Sequence, residues 1–387
     1  MIARLALALA CLPLCGADFA IPADYLREVE PPPFWVGDVD GVARFLETRV
    51  RKGKVTRIGV SAGGRPILAV SYGTPRLGKG TSTYSGSLGF GDIRAFLGPQ
   101  AAKKVHVAMA GVHGGEFEGI VGLVNLISVL ESGKDLRGKP WPAIAEAAAA
   151  IDRIVIVPVA NPDGRARVPV RMLAHRGEDH TVQEYFNTGG RRDGKLIGWP
   201  QCKEHIPLDF STTQFPGGYP NDAGVNIQHD DFLSPRRQPE TEAVLRLASE
   251  ERPDLMLNMH TGASFIQPLR TFMAPAMMPH FDAFYRRVRG RLAREGLQSS
   301  DDPAAAGDPA RERVMVYNLD TALHLVSGTL AILVESPAHG FSRSKRTGAP
   351  FRHTPEDLLN AQLLTHEEAL GFLRESNGLA GWNPARR

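Results

Sequence analysis

The sequence predicts an α/β protein in which a mainly parallel or mixed central sheet carries helices on both faces. Short apolar runs with the length of strands recur at long intervals, and segments with helical spacing of apolar residues lie between them. Alternating strands and helices favour a mainly parallel sheet, because each crossover places a helix on one face. The strand-like runs are 105–108, 151–159, 255–259 and 330–334, and the helical patterns include 120–130 and 240–248.

The chain that precedes these runs predicts three further elements. Residues 18–37 are rich in proline and aromatic residues, and we interpret them as an extended lead-in. Residues 38–49 have apolar residues at helical spacing and predict a helix. Residues 55–60 and 66–72 flank an Ala-Gly-Gly sequence and predict a β-hairpin.

The length of 387 residues suits one large α/β domain or two modest ones. We interpret residues 38–375 as a single folded domain and residues 376–387 as a C-terminal tail. Within the domain, residues 165–221 show little periodicity and many Gly, Pro, His and charged residues. A loop of this length is uncommon unless it serves a site, so we predict that it forms a rim over the active site.

The N-terminal residues 1–17 have the pattern of a signal peptide. Arg4 precedes an apolar stretch over 5–14, and small residues follow it. We therefore expect an exported protein, periplasmic or secreted. The apolar stretch is shorter than the roughly 20 residues that a membrane span needs, so no membrane span is predicted. Removal of the segment leaves Cys202 as the remaining cysteine, and no internal disulfide is expected.

The charge distribution argues against a nucleic-acid partner. The chain has 45 basic and 42 acidic residues, a net charge of +3, and these charges are interspersed. No basic stripe with interleaved aromatic residues is present in the sequence. The hydrophobic fraction of 43% is ordinary for a globular protein and excludes global disorder.

Side chains that can bind a metal follow three of the four strand-like runs. His113 and Glu116 follow the first run, His260 follows the third and Glu335 follows the fourth. Ligands bind beyond the carboxyl ends of parallel strands, so we expect these side chains to converge. Two histidines and a carboxylate, with a water, are the usual ligands of a catalytic zinc ion. A further carboxylate can take a proton from that water and pass it to the leaving group.

Several segments, in the same order along the chain, resemble the zinc carboxypeptidase family. The resemblance covers most of residues 38–375 and includes the His-x-x-Glu pair of His113 and Glu116. The other matching segments are the hairpin 59–67 (Gly-Val-Ser-Ala-Gly-Gly-Arg-Pro-Ile), the turn Asn161-Pro162-Asp163-Gly164, the helix start Pro239-Glu240-Thr241-Glu242, His260, and Glu335 75 residues later.

The resemblance implies a zinc carboxypeptidase-like fold and a hydrolytic function. It implies that His113, Glu116 and His260 hold one zinc ion and that Glu335 is the general base and acid. The implied substrate is a peptide or peptide-like amide, and removal of a C-terminal residue is the family's usual reaction. Glu118 is an alternative carboxylate for the site, although its spacing fits the family less well.

The sequence departs from the family at the segment before the helix 240–248. The family has Gly-Val-Asp-x-Asn-Arg-Asn, whereas residues 224–230 read Gly-Val-Asn-Ile-Gln-His-Asp. Asn226 replaces an Asp that orients a zinc-binding histidine. Gln228 and His229 replace the Asn-Arg pair that binds the terminal carboxylate of the substrate. Because His is not equivalent to the bidentate, always-charged Arg, the requirement for a free C-terminus stays open.

Two further residues of the family have no clear match in this sequence. The arginine that serves the oxyanion or the carboxylate has several candidates, and the tyrosine that caps the substrate has one whose spacing to Glu335 is short by a few residues. The arginine candidates are Arg167, Arg171, Arg176, Arg191 and Arg192, and the tyrosine candidate is Tyr317.

Two alternative functions remain compatible with the sequence. Residues 113–119 also resemble the metal motif of the succinylglutamate desuccinylase and aspartoacylase group, which would make the protein an amidohydrolase or esterase acting on small N-acyl substrates. The hairpin and the Asn-Pro-Asp-Gly turn favour the peptidase. A non-catalytic binding protein on the same scaffold is the third possibility, although all the implied ligands and the base are present.

Overall fold

The computed structural model describes residues 19–78, 80, 83–88, 92–174, 181–203, 207–262, 266–297, 317–337 and 353–383. The predicted signal peptide over 1–17 lies outside this part of the chain, and export stays a prediction. Within the described residues, no helix has both the length and the apolar character that crossing a membrane requires.

A seven-stranded mixed sheet forms the centre of the protein. Its strand order is β1-β2-β4-β3-β7-β9-β8, in which β4, β3, β7 and β9 are parallel and the outer strands pair antiparallel. A separate two-stranded sheet joins β5 and β6. The predicted mixed α/β class is confirmed. The strands are β1 Lys54–Val60, β2 Pro66–Gly73, β3 Val105–Ala110, β4 Arg153–Val157, β5 Gly190–Arg191, β6 Thr213–Phe215, β7 Leu255–Thr261, β8 Gln267–Leu269 and β9 Leu330–Ser336.

Helices cover both faces of the sheet, as the alternating pattern predicts. In the described residues they are α1 Val39–Arg49, α2 Tyr84–Ser87, α3 Ile93–Leu97, α4 Phe117–Ser132, α5 Pro142–Ala149, α6 Pro162–Arg167, α7 Thr181–Thr188, α8 Pro239–Glu251, α9 Met278–Arg294, α10 Leu319–Ser327, α11 Pro355–Glu375 and α12 Gly378–Trp382. Helices α4, α5, α9 and α11 pack together on one face, and α8 packs with α10 on the other.

The parallel strands are buried on both faces, which explains why their sequences are continuously apolar. In β7, Leu255, Leu257 and Met259 enter the core cluster beneath α4 and α11, whereas Met256 enters the cluster beneath α8 and α10. Alternate residues of a strand point to opposite faces. His260 therefore lies on the α8 and α10 side of the sheet.

Two predicted boundaries differ from the structure. The rim segment 165–221 contains the end of α6, helix α7 and the β5–β6 pair, and is not one continuous loop. The tail predicted to begin at residue 376 contains α12, in which Leu379 and Trp382 are buried in the main core. The packed core therefore continues past residue 375, through a helix too short for its periodicity to stand out in the sequence. In the lead-in, Phe34 and Trp35 are buried in the same core.

His106 and His366 are buried in the core away from the predicted metal ligands. His106 on β3 donates from Nδ1 to the carbonyl oxygen of Leu255, 3.1 Å away. In the described part of the chain, no hydrogen-bond partner reaches Nε2 of His106 or either ring nitrogen of His366 on α11. Burial lowers the pKa of His106 to about 4 and the pKa of His366 to about 3. Both rings are therefore neutral in the folded protein near neutral pH.

These two histidines should make the free energy of unfolding depend on pH. In the unfolded chain each has a pKa near 6.5, so the unfolded state binds more protons as the pH falls below that value. Their contribution is fully present above about pH 6.5 and is lost as the pH falls toward 4, at about 1.4 kcal/mol per pH unit for each group. Replacement of His366 by Gln should reduce the slope of the unfolding free energy against pH between pH 6.5 and 4.5, measured by denaturant titration. At pH 7.5, the difference in unfolding free energy between the variant and the wild type gives the packing cost alone. An unchanged slope would contradict the buried neutral state of His366.

Candidate metal centre

Three buried side chains converge at the carboxyl ends of β3 and β7. His113 and Glu116 belong to the turn between β3 and α4, and His260 lies near the end of β7. Nδ1 of His113 is 3.0 Å from Oε1 of Glu116, and Nδ1 of His260 is 3.0 Å from Oε2 of the same carboxylate. The two Nδ1 atoms are 3.2 Å apart. The structure thus brings together the three predicted ligands.

These separations fit a single tetrahedral zinc ion. Ligand atoms at 2.0–2.2 Å from zinc and at tetrahedral angles lie about 3.3 Å from one another. The observed separations are close to this value, at 3.0 Å from each Nδ1 to a carboxylate oxygen and 3.2 Å between the two Nδ1 atoms. Two imidazole nitrogens and a carboxylate are also the donor set that a catalytic zinc site uses, and it leaves one position open.

Asn226 fixes the ring of His113 in the state that a metal requires. Its Oδ1 accepts a hydrogen bond from the backbone N–H of Gln228 at 3.1 Å and lies 3.1 Å from Nε2 of His113. Because the contact with an N–H identifies the amide oxygen, Nε2 must donate to it. The Nδ1 lone pair of a neutral His113 then points toward Glu116 and His260. Asn226 therefore orients the His113 ring from the position of the family's Asp, without the charge of an Asp.

The electrostatics of the cluster favour a bound cation. Burial raises the pKa of Glu116, but the two histidines outweigh it and bring the pKa to about 2. Burial lowers the pKa of His260, but the carboxylates of Glu116 and Glu335 outweigh it and raise the pKa to about 9. Burial lowers the pKa of His113. Without a metal ion, a proton on His260 offsets the charge of Glu116, so positive charge is favoured where the three ligand atoms meet.

Close backbone contacts between three glycines hold the ligand-bearing turn in place. A Cβ atom added to Gly114 would lie 2.0 Å from the carbonyl carbon of Gly164, and one added to Gly164 would lie 2.2 Å from the carbonyl oxygen of Gly218. A Cβ atom on Gly218 would lie 2.5 Å from the backbone nitrogen of Gly115. These distances exclude any side chain, so the backbones of three separate segments pack directly against one another.

The Asn-Pro-Asp-Gly turn connects the site to the hairpin. Asn161 donates from Nδ2 to the carbonyl oxygens of Val112 and Tyr219, at 3.2 and 3.1 Å. Asp163 accepts hydrogen bonds from the hydroxyl of Ser61 at 2.6 Å and from the guanidinium of Arg65 at 2.8 Å. The hairpin and turn motifs that carry the family resemblance therefore support the turn that carries His113 and Glu116.

Glu335 lies beside the cluster because of the register between β7 and β9. His260 pairs with Glu335 across these parallel strands, so both side chains point to the same face. Oε2 of Glu335 is buried without a hydrogen-bond partner among the described residues. Burial and the charge of Glu116 raise the pKa of Glu335 to about 8. A Cβ atom on Gly262 would lie 3.1 Å from Oε2, so glycine keeps this side of the carboxylate open.

Glu118, the alternative carboxylate, has a different contact. Its Oε2 accepts a hydrogen bond from the hydroxyl of Thr261 at 2.9 Å. It is not part of the His113, Glu116 and His260 group. Glu118 thus supports the end of β7 that carries His260.

A buried polar network occupies the position of the family's Asn-Arg pair. Gln228 donates from Nε2 to Oδ2 of Asp320 at 2.8 Å, and its Oε1 accepts from Nδ2 of Asn258 at 3.2 Å. Asp320, at the start of α10, is fully buried, and burial raises the pKa of its carboxyl group. Both ends of the Gln228 amide are therefore engaged within the protein.

His229 lies on the rim beside an aromatic residue and a lysine. The rings of His229 and Trp199 are 6.1 Å apart, and Nζ of Lys203 lies 3.8 Å from the centre of the Trp199 ring. Burial and the nearby charge of Lys203 lower the pKa of His229 to about 3. The Trp199 side of this group is exposed to solvent.

Most of the arginine candidates have partners of their own. Arg167 donates to the carbonyl oxygens of Gly217 and Pro220 and pairs with Asp222. The remaining candidates are distributed as follows: Arg171 is 3.5 Å from Glu28, Arg191 lies in β5, Arg192 donates to the carbonyl oxygen of Ser211, and Arg176 lies outside the described residues.

Tyr317, the predicted capping residue, is half exposed, and its ring lies 6.2 Å from that of Phe232. Both residues line an open cavity between α2, α8 and α10.

Sequence reasoning missed two side chains near the proposed metal ligands, Asp320 and Tyr219. Tyr219 follows a Gly-Gly pair, and such a pair in the sequence indicates that the backbone packs closely against another segment.

Comparison with known proteins agrees with this geometry. The sequence pattern of the family described as zinc carboxypeptidase matches residues 46–270. The match covers more than half of the chain, and the protein belongs to the zinc carboxypeptidase family. No curated protein sequence matches the chain.

Solved structures with the same fold are distant in sequence. A metallo-carboxypeptidase from Burkholderia cenocepacia has 17% identity and a TM-score of 0.52, over 87% of this chain and 69% of the other. A candidate carboxypeptidase from Burkholderia mallei has 17% identity and a TM-score of 0.54, over 87% and 68%. A metallo-carboxypeptidase from Pseudomonas aeruginosa has 15% identity and a TM-score of 0.50, over 86% and 68%. At these identities the similarity shows the shared fold.

The role of Asn226 can be tested through zinc affinity. Asn226→Leu removes the acceptor that orients His113, and the affinity should fall by about 10- to 100-fold. Asn226→Asp keeps an acceptor at the same position and should retain tight binding. Competition with a chromophoric chelator measures both constants. Equal affinities for the two variants would contradict the orienting role.

Proposed function

We propose that the protein is a zinc-dependent peptidase, with His113, Glu116 and His260 as ligands of one zinc ion and Glu335 as the general base and acid. The observation that carries this proposal is the placement of the Glu335 carboxylate, directly across β7 and β9 from His260. Three converging ligands and a neighbouring carboxylate are the parts that metal-assisted amide hydrolysis needs.

The chemistry divides between the metal and the protein. Bound zinc acts as a Lewis acid that polarises a carbonyl group and lowers the pKa of water. Oε2 of Glu335 can hold a proton and release it to the leaving nitrogen. Its pKa, raised by burial and by Glu116 toward neutrality, suits a group that must exist in both protonation states.

The recognition of the substrate's end should differ from the family's usual arrangement. The Gln228 amide is bound to Asp320 and Asn258, and His229 stands where the family has its clamping arginine. We propose that the reaction is still that of a carboxypeptidase and that Lys203 supplies the positive charge for a C-terminal carboxylate. Its position against Trp199 and near His229 supports this role.

The engaged Gln228 also favours a second candidate function. An enzyme without a carboxylate clamp would act on peptide-like amides or esters that lack a free C-terminus, as the desuccinylase and aspartoacylase resemblance suggests.

We also propose export of the protein, which rests on the signal-like residues 1–17.

Replacement of Glu335 by Gln should separate metal binding from turnover. The variant should retain one zinc ion per chain and lose activity by about 10²- to 10⁴-fold, because it removes the proton carrier. Zinc content is measured by elemental analysis, and turnover by hydrolysis of N-blocked peptides. Glu118→Gln, which keeps an acceptor for Thr261, is the matched control and should retain most of the activity. Near-normal turnover in Glu335→Gln would move the base elsewhere.

The proposed role of Lys203 can be tested with paired substrates. The assay compares N-blocked peptides with a free and with an amidated C-terminus, with Glu335→Gln as the blank. The wild type should prefer the free carboxylate, and Lys203→Met should raise KM for that set by about tenfold. The exposed Lys195→Met is the matched control. Equal cleavage of both peptide sets, or turnover of only small N-acyl substrates, would favour the amidohydrolase function.

A further inference from the structure

Tyr219 lies against His113 in the candidate metal centre and belongs to none of the motifs that resemble the family. Its ring stacks on that of His113, with the ring centres 3.6 Å apart and the planes inclined by 13°. Burial and, next to it, the nearby carboxylate of Glu116 raise the pKa of the Tyr219 phenol well above its usual value. The ring therefore lies directly against a proposed ligand, and its phenol is close to the carboxylate of a second one.

The backbone on both sides of Tyr219 is fixed by several segments of the chain. Its N–H donates to the carbonyl oxygen of Asn187 at 3.0 Å, and its own carbonyl oxygen accepts from Nδ2 of Asn161 at 3.1 Å. The carbonyl oxygen of Gly218 accepts from the N–H of Gly114 at 2.7 Å. The same turn thus carries His113 and supports the residue that stacks on it, so the phenol is held in place before any substrate binds.

Hydrolysis of an amide needs a hydrogen-bond donor for the carbonyl oxygen, which gains negative charge during the reaction. Arg167 is directed to Gly217, Pro220 and Asp222, and Arg192 is directed to Ser211. A neutral phenol has one O–H donor and can redirect it by rotation.

We propose that the hydroxyl of Tyr219 donates a hydrogen bond to the carbonyl oxygen of the scissile bond as negative charge develops there. The O–H turns toward the substrate oxygen, and the proton stays on the phenol throughout. Tyr219 is then a catalytic residue of a zinc-dependent amide hydrolase. This inference rests on the proposed function. Its substrate class is a peptide or peptide-like amide.

The test uses Tyr219→Phe in the full zinc-loaded protein, which keeps the stacked ring and removes the donor. Tyr185→Phe is the matched control, because the Tyr185 hydroxyl contacts Ala20 and Gln214 away from the metal ligands. Three quantities are measured: zinc affinity by chelator competition, kcat and KM with an N-blocked peptide, and Kd for a phosphinic peptide, whose tetrahedral phosphinate resembles the attacked carbonyl.

The proposal predicts a specific combination of results. Tyr219→Phe should bind zinc within a few-fold of the wild type, show little change in KM and lose about 10²- to 10³-fold in kcat. The Kd for the phosphinic peptide should rise, while the control variant behaves as the wild type. A kcat close to that of the wild type would overturn the proposal. Weaker zinc binding with kcat restored at saturating zinc would also overturn it, because Tyr219 would then only position a ligand.

Two further measurements keep the outcome unambiguous. If circular dichroism shows that Tyr219→Phe does not fold, a crystal structure of the wild type with the phosphinic peptide replaces it. A phenol oxygen within hydrogen-bond distance of a phosphinate oxygen supports the proposal, and a phenol that contacts only Glu116 overturns it. Failure of the proposed function is recognised separately, since wild-type activity would then be no greater than that of Glu335→Gln.

Discussion

Strands β7 and β9 pair in parallel with His260 opposite Glu335, and the rest of the site depends on this register. A shift by one residue would turn Glu335 to the other face of the sheet, away from Glu116 and His113. The register is strongly specified because both strands are buried on both faces and their alternate residues enter two separate core clusters. The apolar core therefore determines where the polar side chains meet.

The second constraint is the direct backbone contact between three turns. Gly114, Gly164 and Gly218 approach one another so closely that none can carry a side chain. The contact fixes the turn that carries His113 and Glu116 and, through Gly218, the position of Tyr219. The hairpin and the Asn-Pro-Asp-Gly turn, which are separated along the chain, thus support the turn that carries the proposed ligands His113 and Glu116.

The sequence predicted the parts of this arrangement that depend on periodicity and on order along the chain. The four buried strands, helix α1, the hairpin and the convergence of His113, Glu116 and His260 all followed from such patterns. Edge strand β8 has three residues, too few for a pattern. Helix α12 is short, and its packing depends on the core that Leu379 and Trp382 contact.

Asp320 and Tyr219, which were not predicted from the sequence, belong to no motif and reach the site through contacts with residues distant along the chain. Asp320 lies far along the chain from Gln228, and only the folded sheet brings the two together. Tyr219 lies in a segment with little periodicity, and its stacking on His113 is determined by backbone contacts. The sequence shows that His229 replaces an arginine of the family. It does not show that the neighbouring Gln228 amide is bonded to Asp320 and Asn258, because these contacts exist only in the folded protein.

We propose that Nδ1 of His113, Nδ1 of His260 and the carboxylate of Glu116 hold one zinc ion. A crystal structure of the zinc-loaded protein, with anomalous data collected at the zinc edge, would locate the ion. We expect a single anomalous peak within about 2.0–2.2 Å of these three groups, with Nε2 of His113 bonded to Asn226. A peak at another position, ligation through Nε2, or no peak at full zinc loading would contradict it.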